Sequence, residues 1–211
     1  MKETFEWIEL NIGNHKPLMM IGAIIAILVV AVSLISAFWP RYEMQFIEFG
    51  LLGKDKLAKD YFLSDNSTVT LGPQVNWNIY IHNHIEGSQD VIIKVKLINS
   101  TIQVPNDEEH IPTQSASFME MPLSLSDNET LVAPFSWSVT DLSSQGNSIV
   151  LRQLSVNNQS FDVDVSTLSD SFFQMVFELW VYNKSSQGYE FGWQSSQGYS
   201  SASLQIGFRV A

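Results

Sequence analysis

His82 and His84 stand two residues apart in Ile81-His82-Asn83-His84-Ile85. On an extended strand, residues i and i+2 project from the same face, so the two imidazoles can reach one point in space. Neutral imidazole is a ligand for zinc, copper and related ions, and this pair is the first candidate metal site. His110, Met119 and Met121 would add soft donors, a combination that suits copper. A solvated strand end is the plain alternative for the pair. A second kind of chemistry is written in five Asn-x-Ser/Thr triplets, beginning at Asn66, Asn99, Asn128, Asn158 and Asn183. Each falls at a predicted turn or strand end, where an oligosaccharide fits, so N-linked glycans are expected.

Catalysis has little to stand on. The chain has no cysteine, which excludes thiolate nucleophiles, disulfides and cysteine-ligated metals. It has no G-x-S-x-G, P-loop or H-E-x-x-H motif. Asp107, Glu108 and Glu109 sit in a polar run that reads as a solvated loop. A non-enzymatic role is expected. The formal net charge of −11 argues against nucleic acid, because phosphate binding needs clustered Lys and Arg.

These residues need a frame, and beyond Pro40 the hydrophobic pattern supplies one with period two. Val75, Trp77, Ile79 and Ile81 alternate with polar neighbours, and so do Val91, Ile93, Val95 and Leu97. Glu86-Gly87-Ser88 between them has turn chemistry, so the two runs are expected to pair as a hairpin. Phe135–Val139, Phe161–Val165, Phe173–Val181 and Leu204–Val210 repeat the alternation. Short strands joined by Ser/Asn/Gly turns predict an all-β domain, an antiparallel Ig-like sandwich of about seven to nine strands. Ser185-Ser186-Gln187-Gly188-Tyr189 recurs as Ser195-Ser196-Gln197-Gly198-Tyr199, and both copies read as surface turns with Gly at positive φ.

Ahead of the strands, Leu18–Trp39 is an uncharged apolar run of 22 residues. As one helix it would span roughly 33 Å, near the thickness of a hydrocarbon core, and an uncleaved signal anchor follows as the expectation. The predicted organisation is a cytoplasmic or interfacial segment at 1–17, a transmembrane helix at 18–39, and an extracytoplasmic sandwich at 40–211. Gly22 and Ala26, four apart, would let that helix approach another closely. The expected location is the cell membrane, with a single pass and the C-terminal domain outside.

Phe46-Ile47-Glu48-Phe49-Gly50-Leu51-Leu52-Gly53, Ala58-Lys59-Asp60-Tyr61, the Thr68–Gly72 strand and Asn83-His84 together resemble an archaeal family of membrane-anchored proteins, domain of unknown function 1616. Glu178–Tyr182 and Ser203–Val210 look similar to the family's last strands. The resemblance implies an Ig-like ectodomain of archaeal origin and supplies no activity. The leading expectation is therefore a glycosylated single-pass accessory subunit or cell-surface anchor, docked on the membrane and on another membrane or surface-layer protein. Two alternatives stand beside it: an extracytoplasmic copper- or ligand-binding module using His82 and His84, and an archaellum-stator-like envelope protein.

Overall fold

The computed structural model describes residues 19–35, 45–63, 67–169, 171–192, 194–195, 198–199 and 202–211. The chain divides into two units, Met1–Glu43 and Met44–Ala211. In the first, a helix α1 covers residues 19–35, with exposed side chains along most of its length. At about 1.5 Å per residue the described stretch of this helix spans roughly 26 Å. Among the described residues no helix is long and apolar enough to cross a membrane. This overturns the expected transmembrane helix at 18–39, and with it the single-pass anchor and the location assigned from it. Leu18 and residues 36–39 lie outside the described residues.

Among the described residues the second unit forms thirteen strands, more than the seven to nine expected. They are β1 (Ile47–Leu52), β2 (Thr68–Val69), β3 (Val75–Asn83), β4 (Gln89–Asn99), β5 (Met119–Leu125), β6 (Thr130–Gln145) and β7 (Ser148–Val156), then β8 (Gln159–Leu168), β9 (Phe173–Asn183), β10 (Gly188–Phe191), β11 (Gln194–Ser195), β12 (Gly198–Tyr199) and β13 (Ser203–Val210). The surplus comes from the short elements β2, β10, β11 and β12, which carry too few residues to show a period. A five-stranded sheet runs β1-β3-β6-β7-β8, and a six-stranded sheet runs β2-β13-β9-β4-β5 with β10 on β9. All of these neighbours are antiparallel except β2 and β13.

The expected hairpin of β3 with β4 does not form. β3 pairs with β1 and β6, and β4 pairs with β5 and β9, so Glu86-Gly87-Ser88 carries the chain from one sheet to the other. Alternation tells which side of a strand is apolar, but not which strand lies beside it. Gly87 has φ +86°, as a tight change of direction needs.

The apolar sides of both sheets meet in one core. Val75, Trp77, Ile79 and Ile81 of β3 are buried with Phe135, Trp137 and Val139 of β6, and with Val91–Leu97 and Phe173–Val181 of the other sheet. Trp77 is its centre: its ring lies 5.1 Å from Trp137 and 6.1 Å from Phe177. Its indole Nε1–H donates to the Tyr61 carbonyl, giving the buried N–H the partner it requires. With the inner positions filled, β3 turns Tyr80 and His82 outward, and His84 just beyond the strand follows the same phase.

Candidate metal centre

The outer face of the five-stranded sheet carries a polar row at one end of β3. Glu48 of β1 lies directly across from His82 of β3, and His82 lies directly across from Thr130 of β6. Such cross-strand partners have side chains close enough to interact. His84 continues on the same side, its backbone N–H donating to the Phe46 carbonyl at 2.9 Å. One donor atom each from Glu48, His82 and His84 lies within 4.8 Å of the others. His84 Nε2 is 3.7 Å from Glu48 Oε2, with side-chain exposures of 33% and 52%, so the group opens to solvent.

Three supports fix these side chains. Asn83 is wholly buried at the end of β3. Its amide Nδ2 donates to the carbonyls of Gly87 (3.0 Å) and Ser126 (2.9 Å), while its Oδ1 accepts from Ile85 N–H at 2.9 Å. This holds the segment bearing His84. Tyr80 Oη donates to Glu48 Oε2 at 3.0 Å and restricts that carboxylate. The Tyr80 hydroxyl is pushed above its ordinary pKa of 10.0, first by desolvation, then by the Glu48 hydrogen bond and charge. His82 is held at both nitrogens: Nε2 is 3.0 Å from Asn128 Oδ1 and Nδ1 is 2.8 Å from Thr130 Oγ1. The rings of His82 and His84 stack with centroids 4.0 Å apart and planes within 4°, and Phe46 covers the other face of His84 at 4.3 Å.

Two imidazoles and a carboxylate make a mixed N/O donor set of the kind that holds zinc, copper(II) or iron(II). The soft donors considered with them are elsewhere. Met119 and Met121 lie on β5 in the other sheet, opposite Val95 and Ile93, and His110 sits before β5 with Nδ1 3.3 Å from the Phe191 carbonyl. The third donor is Glu48 instead. Alternation of Ile47 and Phe49 marks it as outward-facing, but its place beside His82 depends on a strand pairing that no local pattern states.

The acceptor triplets are unequally placed. Asn66 is outside the described residues. Asn128 and Asn158 are exposed at turns, with φ of +55° and +66°. Asn99 and Asn183 are half-buried, and their amide nitrogens donate to the Ser166 carbonyl (2.8 Å) and Glu190 Oε2 (2.9 Å). On α1, Gly22 and Ala26 are exposed, and nothing lies within 4 Å of the position a Gly22 Cβ would take. Asp107, expected in a solvated loop, is a clamp: its Oδ2 accepts the backbone N–H of Ala202 (2.9 Å) and Ser203 (3.2 Å), and its Oδ1 the Ser203 hydroxyl (2.8 Å).

No protein-family profile matches the chain, and no curated protein does. The expected membership of the membrane-anchored family is therefore withdrawn: no profile carries it, and no described helix meets the requirement for an anchor. The accessory-subunit reading and its membrane-embedded partner rested on that anchor and fall with it. Among solved structures, the chain is similar to the CARDB domain of a Pyrococcus furiosus protein solved in complex with di-metal ions, at 9% identity and a TM-score of 0.39 over 81% of this chain and 91% of that one. It is also similar to a Pseudomonas fluorescens alkylpurine DNA glycosylase (10% identity, TM-score 0.30, 56% of this chain and 30% of that one). A third is a Listeria innocua β-glucosidase (14%, 0.29, 56% and 16%). None of the three reaches a TM-score of 0.5.

Proposed function

We propose that this chain is a non-catalytic binding module that holds a first-row divalent metal ion on Glu48, His82 and His84. The observation that carries the reading is the convergence of three donor atoms within 4.8 Å on one solvent-open sheet face. An ion with bonds of about 2.1 Å sets its donors roughly 3.0–4.2 Å apart, so the 3.7 Å between His84 Nε2 and Glu48 Oε2 already fits. Parallel stacked rings cannot both aim in-plane lone pairs at one ion, so loading turns one imidazole out of the stack. His84 is the one that moves, since His82 is tied at both nitrogens.

For such a donor set affinity follows the usual order of divalent ions, with copper(II) above zinc and zinc above manganese. Equilibrium dialysis of the purified chain with metal quantification tests this. About one copper(II) or zinc ion per chain is expected, with none after His82→Ala/His84→Ala. Wild-type protein that takes up neither ion, or a double variant that takes up as much, removes the reading.

A further inference from the structure

His82 has two nitrogens and both are addressed by one turn. Asn128 and Thr130 flank Glu129 where β5 passes into β6, and they reach Nε2 and Nδ1 of the same ring. The turn is built firmly. Glu129 N–H donates to the Ser126 carbonyl at 3.2 Å, Ser126 N–H donates back to Glu129 Oε2 at 2.6 Å, and Asn128 takes φ +55°. Asn128 Oδ1 can only accept, whereas the Thr130 hydroxyl can donate or accept. With the ring proton on Nε2, that N–H donates to Asn128 and the Thr130 hydroxyl donates to Nδ1. With the proton on Nδ1, Thr130 accepts it, and two lone pairs, on Nε2 and on Asn128 Oδ1, face one another 3.0 Å apart. That second arrangement is repulsive unless the Asn128 amide turns over to present its Nδ2–H or a cation sits against both lone pairs. Their separation matches the about 3.0 Å between neighbouring donors of an octahedral ion with bonds of about 2.1 Å.

We propose that the Asn128 side-chain oxygen is the fourth protein ligand of this metal site, and that Thr130 is a positioning residue that selects the metal-binding tautomer of His82. The proposal rests on the metal-binding reading above. Loading moves one proton within the ring: Nε2 loses its proton and binds the ion, Nδ1 gains one and donates it to Thr130 Oγ1. The Asn128 oxygen exchanges a hydrogen bond for a metal bond. A hard oxygen at this place makes the donor set two nitrogens and two oxygens, with remaining positions open to water.

The test is calorimetric titration of the full chain with Zn2+, together with 15N NMR of the imidazoles. Wild type is expected to change from the Nε2–H to the Nδ1–H tautomer at His82 as zinc binds. Asn128→Ala and Asn128→Gly should each bind about tenfold more weakly, and Asn128→Asp more tightly, because it adds charge to the ligand. The glycine variant accepts positive φ, so a loss shared by both separates ligation from turn strain. Thr130→Val should cost about tenfold, in the range for groups that orient a ligating histidine, with Thr130→Ser restoring binding. If Asn128→Ala and Asn128→Gly bind as well as or better than wild type, Asn128 is a bystander or a latch, and the proposal is overturned while the three-donor site survives. A wild type that binds no zinc or copper removes the site itself.

Discussion

Two outward-facing charged groups of this sandwich are built from similar residues and come to opposite ends. On the six-stranded sheet, Lys96 Nζ lies 2.8 Å from Glu178 Oε2, with side-chain exposures of 6% and 0%. The segment between β4 and β5 closes over them. Thr113 N–H donates to Glu178 Oε1 at 2.8 Å, Lys96 also donates to the Thr113 carbonyl at 2.8 Å, and Trp180 Nε1–H donates to Glu178 Oε2 at 3.1 Å. Both carboxylate oxygens are used, and the ammonium has the carboxylate and a carbonyl as partners. On the five-stranded sheet, Glu48, His82 and His84 keep donor atoms within 4.8 Å of one another on a face open to solvent. The difference teaches that covering a charged pair converts it into architecture, whereas leaving donors convergent and open keeps them available for a ligand.

Breaking the covered group should have the largest effect. Glu178→Gln strands a buried ammonium, and the expected loss is about 3–5 kcal/mol of folding stability by equilibrium denaturation. The double variant Lys96→Met/Glu178→Leu should recover most of it, because neither charge is then buried alone. A single-variant loss under about 1 kcal/mol would mean that water reaches the pair. The open group should behave the other way. His82→Ala/His84→Ala should change stability by no more than about 1 kcal/mol while lowering metal affinity at least a hundredfold. A large stability loss with unchanged metal uptake would make the histidine stack structural.

The alternation of apolar residues made the core legible: the inward positions of β3, β4, β6 and β9 could be named before any strand was paired. Pairing was not legible. The chain reads as though β3 turns back on β4, because the turn chemistry at Glu86–Ser88 is the same whether the next strand joins this sheet or crosses to the facing one. For the same reason the histidines could be recognised and Glu48 could not, since its approach to His82 is a matter of register between β1 and β3. Asn128 was visible as the start of an acceptor triplet, but its contact with His82 spans 46 residues. In the first unit, the apolar run at 18–39 suggested a membrane-crossing length, and the described helix covers 19–35.

The smallest expected effect is on the acid side, at two carboxylates outside both groups. Glu129 is held below its ordinary pKa of 4.5 by the Ser126 backbone N–H, and Glu190 below the same value by the Asn183 amide and the Ser186 hydroxyl. A folded-state pKa below the unfolded one gives stability that is present above the unfolded value and is lost as pH falls through the folded one. The melting temperature should therefore decline below about pH 4.5, and Glu129→Gln/Glu190→Gln should flatten part of that decline. An unchanged acid slope in the double variant would assign the decline to other carboxylates.

The most direct measurement for the central claim is a crystal of the full chain grown with zinc, with anomalous diffraction collected across the zinc edge. The account predicts one strong peak bounded by Glu48, His82, His84 and the Asn128 oxygen, with the two imidazole planes no longer parallel. No peak at that place, with His82 and His84 still stacked, would contradict it.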